Sequence, residues 1–133
     1  MNKKGFTLIE IFLVISIVGI MLSVSLPISF SMYNSYKASM KAMEIMVFVS
    51  GLRLESFLYS EGNTLSSMND VMTVNGLQKS FADTHVQIDQ TITFYRNGTT
   101  SGGIVRIYVS DQAYYLSVKA PLGDLVLEKA GKV

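Results

Sequence analysis

The sequence predicts an α+β fold, in which a long N-terminal helix precedes a small antiparallel β-sheet. Residues 6–26 form an apolar run with a single charged side chain. At 1.5 Å per residue, a helix over this run is roughly 31 Å long, which is enough to cross a bilayer core. Apolar residues then recur every three or four positions over residues 40–58, the period of an amphipathic helix. After Gly76 the period falls to two, which indicates strands.

The apolar run fits a membrane anchor better than a cleaved secretory signal. A secretory signal has an apolar stretch of about 7–15 residues followed by a small-x-small cleavage site, whereas this run is longer and ends in Ser25-Leu26-Pro27. Lys3 and Lys4 precede it, and basic residues beside a membrane span stay in the cytoplasm. We therefore expect a single pass through the inner (cytoplasmic) membrane, with the N-terminus in the cytoplasm and the bulk of the chain outside.

Glu10 is the one charged residue inside the apolar run. A carboxylate placed in hydrocarbon costs about 3 kcal/mol, so an acid in a membrane segment usually has a partner and a function. Because no other side chain of the run ionises, a cationic partner has to come from another chain or from a new amino terminus. Cutting the chain between Gly5 and Phe6 would create such an amine about one helical turn from Glu10.

The residues around this glycine match a known processing motif. Residues 4–10, KGFTLIE, resemble the class III signal of type IV pilins and type II secretion pseudopilins. The resemblance implies a leader of residues 1–5, cleavage by prepilin peptidase between Gly5 and Phe6, and N-methylation of Phe6. It also implies that Glu10 serves assembly with other pilins or pseudopilins, by pairing with the amine of Phe6 on a neighbouring subunit of the filament.

Two helix-weakening residues lie at positions that fit the same resemblance. Gly19 costs about 1 kcal/mol relative to alanine in a helix, and Pro27 removes an amide donor and crowds the carbonyl of Ser23. In type IV pilin families, the helix between two such residues can lose its helical structure when subunits pack. Residues 6–29 are thus predicted to cross lipid in the free subunit and to enter the filament core. For an isolated subunit, a kinked but unbroken helix is an equal alternative.

Beyond Pro27 the helical pattern continues to about Tyr59, within a globular region predicted over residues 30–133. One stripe at spacings of three and four contains Met40, Met43, Val47, Gly51, Leu54 and Leu58. We expect the sheet to cover this stripe, because an apolar helix face needs an opposing apolar surface. Lys41 and Arg53 lie off the stripe and are expected to face water.

Strand signals follow the turn pair Asn75-Gly76. Alternating apolar residues predict one or two strands over residues 86–94, then strands over residues 104–109, 113–119 and 125–128. Side chains of Val105, Ile107, Val109, Tyr114, Leu116 and Val118 are predicted to point inward. The short connections predict an antiparallel meander. Residues 65–72 fit either a short helix or a loose strand, so the order of strands between residues 65 and 92 stays open.

The C-terminal half carries a second resemblance. The segment Phe94–Ile104, which contains the loop RNGTTSGG, and the later segment LGDLV at residues 122–126 are similar to parts of GspH/FimT-type minor pilins. Similar minor pilins serve competence pseudopili. The resemblance implies a minor pilin or pseudopilin, without choosing between a pilus, a type II secretion system and a competence apparatus.

No pattern in the sequence indicates catalysis. Cysteine is absent, which excludes disulfides and thiolate metal sites, and no serine near the single histidine, His85, stands in a nucleophile-elbow context. The acidic residues lack calcium-loop spacing. The loop Arg96–Gly103 lacks the phosphate-binding lysine of a P-loop and precedes a strand. We therefore expect no enzyme, no cofactor and no metal, and interpret the chain as a substrate of prepilin peptidase.

Charge gives little support to nucleic-acid binding. The formal net charge is +1. Lys3 and Lys4 account for two of the 11 basic residues, so the chain beyond the leader, with its 10 acidic residues, is close to neutral. Tyrosines nevertheless interleave with Arg96, Arg106 and Lys119, and rings beside cations are one way to hold DNA. A DNA-binding competence pilin, acting as a receptor, is the main alternative, and a membrane-anchored domain unrelated to filaments is the third.

Overall fold

The computed structural model of the chain describes residues 4–132 and has the α+β composition that the sequence predicts. One α-helix, α1, spans Leu8–Leu58, and β-strands follow it. Among the described residues, α1 is the one helix that is long and apolar enough to span a membrane. The chain divides into two compact units, the first ending at Tyr36 and the second beginning at Lys37.

The first unit exposes its apolar side chains on every side. From Leu8 to Phe30 the most covered large apolar residue is Val18, which is still 47% exposed. The helix is continuous through Gly19 and Pro27. No other segment of this unit covers the helix, so its apolar surface has no partner within residues 4–36.

The strands of the second unit form two antiparallel four-stranded sheets. Their bounds are β1 Asn63–Met68, β2 Val71–Val74, β3 Leu77–Lys79, β4 Thr84–Ile88, β5 Ile92–Phe94, β6 Gly103–Val109, β7 Gln112–Lys119 and β8 Asp124–Lys132. The first sheet has the order β3-β2-β1-β5 and the second the order β4-β6-β7-β8. The β1–β2 hairpin meets the free edge of β4, where the Val86 amide donates to the Asp70 carbonyl at 2.9 Å.

The helix contributes a different face to the core from the one that the sequence predicts. Its buried positions are Ala38, Ala42, Ile45, Val49, Leu52 and Ser56. The predicted stripe is exposed instead, with Met40 and Met43 each 51% exposed and Val47 71% exposed. The prediction was wrong because apolar residues occupy both faces of this segment, so their spacing alone cannot select one. Ala38 and Ala42 lie on the buried face, in the same apolar cluster as residues of both sheets.

The core joins the buried helix face to both sheets. Leu65 on β1 and Met72 on β2 are fully buried, as are Ile107 on β6 and Leu116 on β7. The inward residues predicted for the last strands are confirmed, since Val105, Ile107, Val109, Tyr114, Leu116 and Val118 are all buried. Alternation from Val105 in β6 and from Tyr114 in β7 identified this face correctly, because the opposite face of the second sheet is more polar.

The structure completes or corrects three strand predictions. Residues 65–72, which fitted helix or strand, belong to the β1–β2 hairpin, and its tip residues Asn69 and Asp70 both have positive φ. The strands form two sheets rather than one meander, because β5 turns back to pair with β1. Strand β8 continues to Lys132, beyond the predicted end at Glu128.

Polar contacts fasten α1 to the strands at two places. Lys41, which was expected to face water, donates from Nζ to the Ala82 carbonyl at 2.8 Å and pairs with Asp83 at 3.2 Å. That prediction was wrong because residues 82–83 fold over the lysine. At the helix end, the buried Asn63 amide donates to Ser56 Oγ at 2.8 Å and accepts a bond from Asn75 Nδ2 at 2.8 Å.

Candidate functional site

The predicted cleavage site lies on non-helical chain just ahead of α1. Gly5 and Phe6 have no regular secondary structure, and Phe6 is 85% exposed. A Cβ placed on Gly5 would meet no atom within 4 Å. No side chain of residues 4–10 therefore covers the Gly5–Phe6 peptide bond. A protease can cut only a bond that is uncovered in this way. The remainder of the predicted leader, residues 1–3 with Lys3, lies outside the described residues.

Thr7 and Glu10 form a capping box at the start of α1. The Thr7 amide donates to Glu10 Oε2 at 2.7 Å, and the Thr7 hydroxyl donates to the same oxygen at 2.9 Å. The Glu10 amide donates back to Thr7 Oγ1 at 3.3 Å. Each residue thus satisfies an amide that the first turn of a helix leaves unpaired. Sequence analysis missed the role of Thr7, although the T-x-x-E spacing is a known signature of this cap.

The capping box satisfies the hydrogen-bonding capacity of only one of the two Glu10 carboxylate oxygens. Both bonds end on Oε2 and come from neutral donors, while Oε1 has no hydrogen-bond partner among the described residues. The ion pairs found within residues 4–132 are Lys41–Asp83 and Arg106–Asp89, so no described cation pairs with Glu10. The helix start therefore orients the carboxylate, and no residue among 4–132 supplies a counter-ion for its charge.

Gly19 and Pro27 lie within unbroken helix. A Cβ on Gly19 would meet no atom within 4 Å, so packing within the described chain does not require a glycine there. The Ser23 hydroxyl donates to the Ile20 carbonyl at 2.7 Å, inside the turn before the proline. The loss of helical structure that the resemblance implies for this segment concerns the assembled filament and stays a prediction.

The three basic residues predicted for the alternative DNA contact lie on three different elements. Arg96 belongs to the loop after β5, Arg106 to β6 and Lys119 to the end of β7. Arg106 pairs with Asp89 at 2.7 Å, and Lys119 stands opposite Asp124 in the β7–β8 register. Acidic neighbours at two of the three positions weaken the positive potential that attracts DNA.

The outer face of the second sheet brings some of the aromatic and basic residues together. Tyr115 on β7 stands opposite Arg106 on β6, and Tyr108 on β6 stands opposite His85 on β4. Tyr114, by contrast, is buried and unavailable for stacking. Within the described part of the chain, no three His, Cys, Asp or Glu side chains come together to hold a metal ion.

The described residues define an α+β chain with one membrane-length helix ahead of two small antiparallel sheets. Comparison of the chain with protein-family models, with curated proteins and with solved structures finds no match. Its function is therefore inferred from its own residues.

Proposed function

We propose that this chain is a structural subunit of a type IV pilin-like filament, a minor pilin or pseudopilin of GspH/FimT type. Prepilin peptidase removes residues 1–5 and methylates the amine of Phe6. Before assembly, residues 6–29 hold the subunit in the cytoplasmic membrane. After assembly, the same segment packs among the helices of other subunits. The chain is a substrate of the peptidase and does no chemistry of its own.

The observation that carries this proposal is the uncovered helix of the first unit. Its large apolar side chains, from Leu8 to Phe30, are all at least 47% exposed. Burying one such side chain contributes about 1.5–3 kcal/mol, so leaving all of them in water is strongly unfavourable. Lipid covers such a helix in the free subunit, and other helices replace the lipid on assembly.

Glu10 separates a filament subunit from a simple anchor. A simple anchor gains from this carboxylate only the helix cap, about 1 kcal/mol, against a cost of about 3 kcal/mol in hydrocarbon. A filament supplies the missing cation, because the Phe6 amine of a neighbouring subunit can reach Glu10 Oε1, the oxygen without a described partner. Pairing the two charges offsets the cost of burying each alone.

The exposed helix face of the second unit supports the same proposal. Met40, Met43 and Val47 are each more than half exposed, while the opposite face of the same segment is buried. Extended apolar surface on a folded unit is typical of protein–protein contact sites. Helices of other subunits would cover this face in a filament, whereas a solitary anchored domain would leave it in water.

Mass spectrometry of the chain recovered from sheared filaments tests this proposal. We expect a mature terminus at Phe6 carrying a methylated amine. A Gly5→Val variant should remain uncut and should be missing from the filament fraction, because the peptidase needs a small residue before the scissile bond. An assembled chain that still begins at Met1 would refute the proposal.

A further inference from the structure

A groove of about 430 Å³ lies between α1 and two loops of the second unit. The helix lines it with Ser50, Arg53, Leu54 and Phe57, and the loops line it with residues 97–99 and Leu122. A hollow of about 380 Å³ continues the groove and shares Ser50 and Arg53 with it. Arg53 therefore lies where the two spaces join.

The loop after β5 forms a pre-ordered wall of this groove. The Tyr95 amide donates to the Thr99 carbonyl at 2.8 Å, and the Gly98 amide donates back to the Tyr95 carbonyl at 3.0 Å. Gly98 has φ +81°, and a Cβ there would lie 3.2 Å from Cδ2 of Phe57. Glycine thus lets the loop rest on the ring, and a wall already fixed loses little entropy when a ligand binds.

Gly123 lets the aliphatic stem of Arg53 pack against a turn, just as Gly98 lets the loop pack on Phe57. Gly123 has φ +78°, and a Cβ there would lie 2.9 Å from Cδ of Arg53. The arginine is partly buried against this turn, yet its guanidinium makes no ion pair or side-chain hydrogen bond with any described residue. Asp124 lines the adjoining hollow but does not pair with it. The groove therefore holds a positioned cation to which the described part of the chain offers no counter-ion.

We propose that the groove binds an acidic-apolar segment of a partner protein, with a carboxylate on Arg53 and a neighbouring apolar side chain over Leu54, Phe57 and Leu122. The planar guanidinium fork matches a carboxylate in two-point contact. The three apolar residues are 57%, 58% and 62% exposed and supply the adjoining contact.

The chemistry of the lining favours a peptide over a free anion. Arg53 is the one charged residue lining the 430 Å³ groove, so a phosphate dianion would keep part of its charge unpaired. A free anion would also leave the apolar part of the groove in water. The lining residues all belong to the unit that begins at Lys37, so this proposal stands independently of filament assembly.

Glycine-selective NMR on the full chain in detergent micelles tests the proposal. The probe is N-acetyl-Leu-Asp-N-methylamide, and its matched control is the Leu-Asn peptide, which is neutral but otherwise nearly identical. We expect the acidic probe to shift the amide signals of Gly98 and Gly123 saturably, while those of Gly76 and Gly131 stay fixed. An Arg53→Gln variant should weaken binding by about tenfold or more, because the charged hydrogen bonds are lost.

Three controls make the outcome decisive. Arg96→Gln, which removes a cation from the same loop region but not from the groove lining, should leave binding unchanged. Arg53→Lys should bind with intermediate affinity, because it keeps the charge but not the planar fork. Equal shifts from the Leu-Asn peptide, from sodium acetate or from inorganic phosphate would overturn the proposal, as would unchanged binding by Arg53→Gln.

Discussion

The two halves of α1 differ in what surrounds their side chains. From Leu8 to Tyr36 no large apolar residue is covered, whereas from Ala38 to Ser56 one face is at most 6% exposed. Both halves are rich in apolar residues, so apolar content does not separate them. The difference is that residues of the second half, from Ala38 onward, share one buried apolar cluster with residues of both sheets, whereas no residue of the first half belongs to it. The comparison shows that the large apolar side chains of the first half are exposed on every side, whereas the second half exposes them on its outer face only.

The largest effect is expected from removing the charge of Glu10. This variant tests whether the first half of α1 pairs with another chain through that charge. Glu10→Gln keeps an oxygen that can accept from Thr7, so the cap survives, but it removes the charge. In a filament this would leave the amine of Phe6 on the neighbouring subunit without its partner, at a cost of roughly 3–5 kcal/mol. We expect the variant to insert in the membrane, to be cut normally and to be nearly absent from sheared filaments.

Thr7→Ala is the matched control for that experiment. It removes the hydroxyl of the cap while keeping the charge of Glu10, and losing such a cap costs about 1 kcal/mol. We expect near-normal incorporation beside wild type, with cleavage measured separately for both variants. Glu10 would be acting as a cap rather than as a charge if Thr7→Ala failed to assemble and Glu10→Gln assembled normally.

The second prediction tests the contrast between the two faces of the second half. Ile45 is fully buried and Met43 is 51% exposed, because residues two positions apart point to opposite sides of a helix. Ile45→Ala should lower the free energy of unfolding by about 2–5 kcal/mol, and Met43→Ala should change it by under about 0.5 kcal/mol. Pulse proteolysis of the full chain in micelles measures both. A larger loss for Met43→Ala would place the core on the predicted stripe after all.

Sequence patterns predicted the second sheet better than the helix face. In β6 from Val105 and in β7 from Tyr114 the buried positions alternate, so these inward residues could be identified from spacing. In α1 both faces of residues 38–58 are apolar, and only the sheet contact decides between them. The pairing of β5 with β1 could not be predicted either, because it joins residues far apart in the chain and no turn signal marks it.

The candidate sites show the same limit. Gly5, Phe6 and Glu10 are adjacent in sequence, so a local motif is enough to propose them. The Thr7–Glu10 cap is equally local and was predictable from its spacing. The Arg53 groove was not predictable, because it combines one helix turn with residues 97–99 and Leu122 from two later loops. Sites built from distant segments become visible only once the strand order is known.

Tyr114 on β7 places a buried hydroxyl near the first buried turn of α1, where the covered half of the helix begins. Its side chain is 4% exposed, and no described residue forms a hydrogen bond of good geometry with its buried hydroxyl. Burial raises the pKa of this hydroxyl above its ordinary value of 10.0, and the side chain of Ser39 on the helix, although it forms no hydrogen bond of good geometry with it, offsets part of that rise. The second half of the helix thus covers a polar group that the exposed first half would leave in water.

The smallest expected effect follows from this buried hydroxyl. Because its pKa is raised in the folded chain, the unfolded chain ionises first, so stability is intact below about pH 10 and falls as the pH rises beyond it. Tyr114→Phe cannot ionise and leaves no polar atom unpaired. At pH 7 it should therefore match wild type or exceed its stability by under about 1 kcal/mol. Above pH 10 it should lose less stability than wild type as the pH rises.

Pulse proteolysis across this pH range measures the difference, with Tyr115→Phe on the exposed face of the same strand as the control. Parallel stability curves for wild type and Tyr114→Phe would mean that the Tyr114 hydroxyl reaches water in solution, and that the first turn of the buried helix face is looser than described.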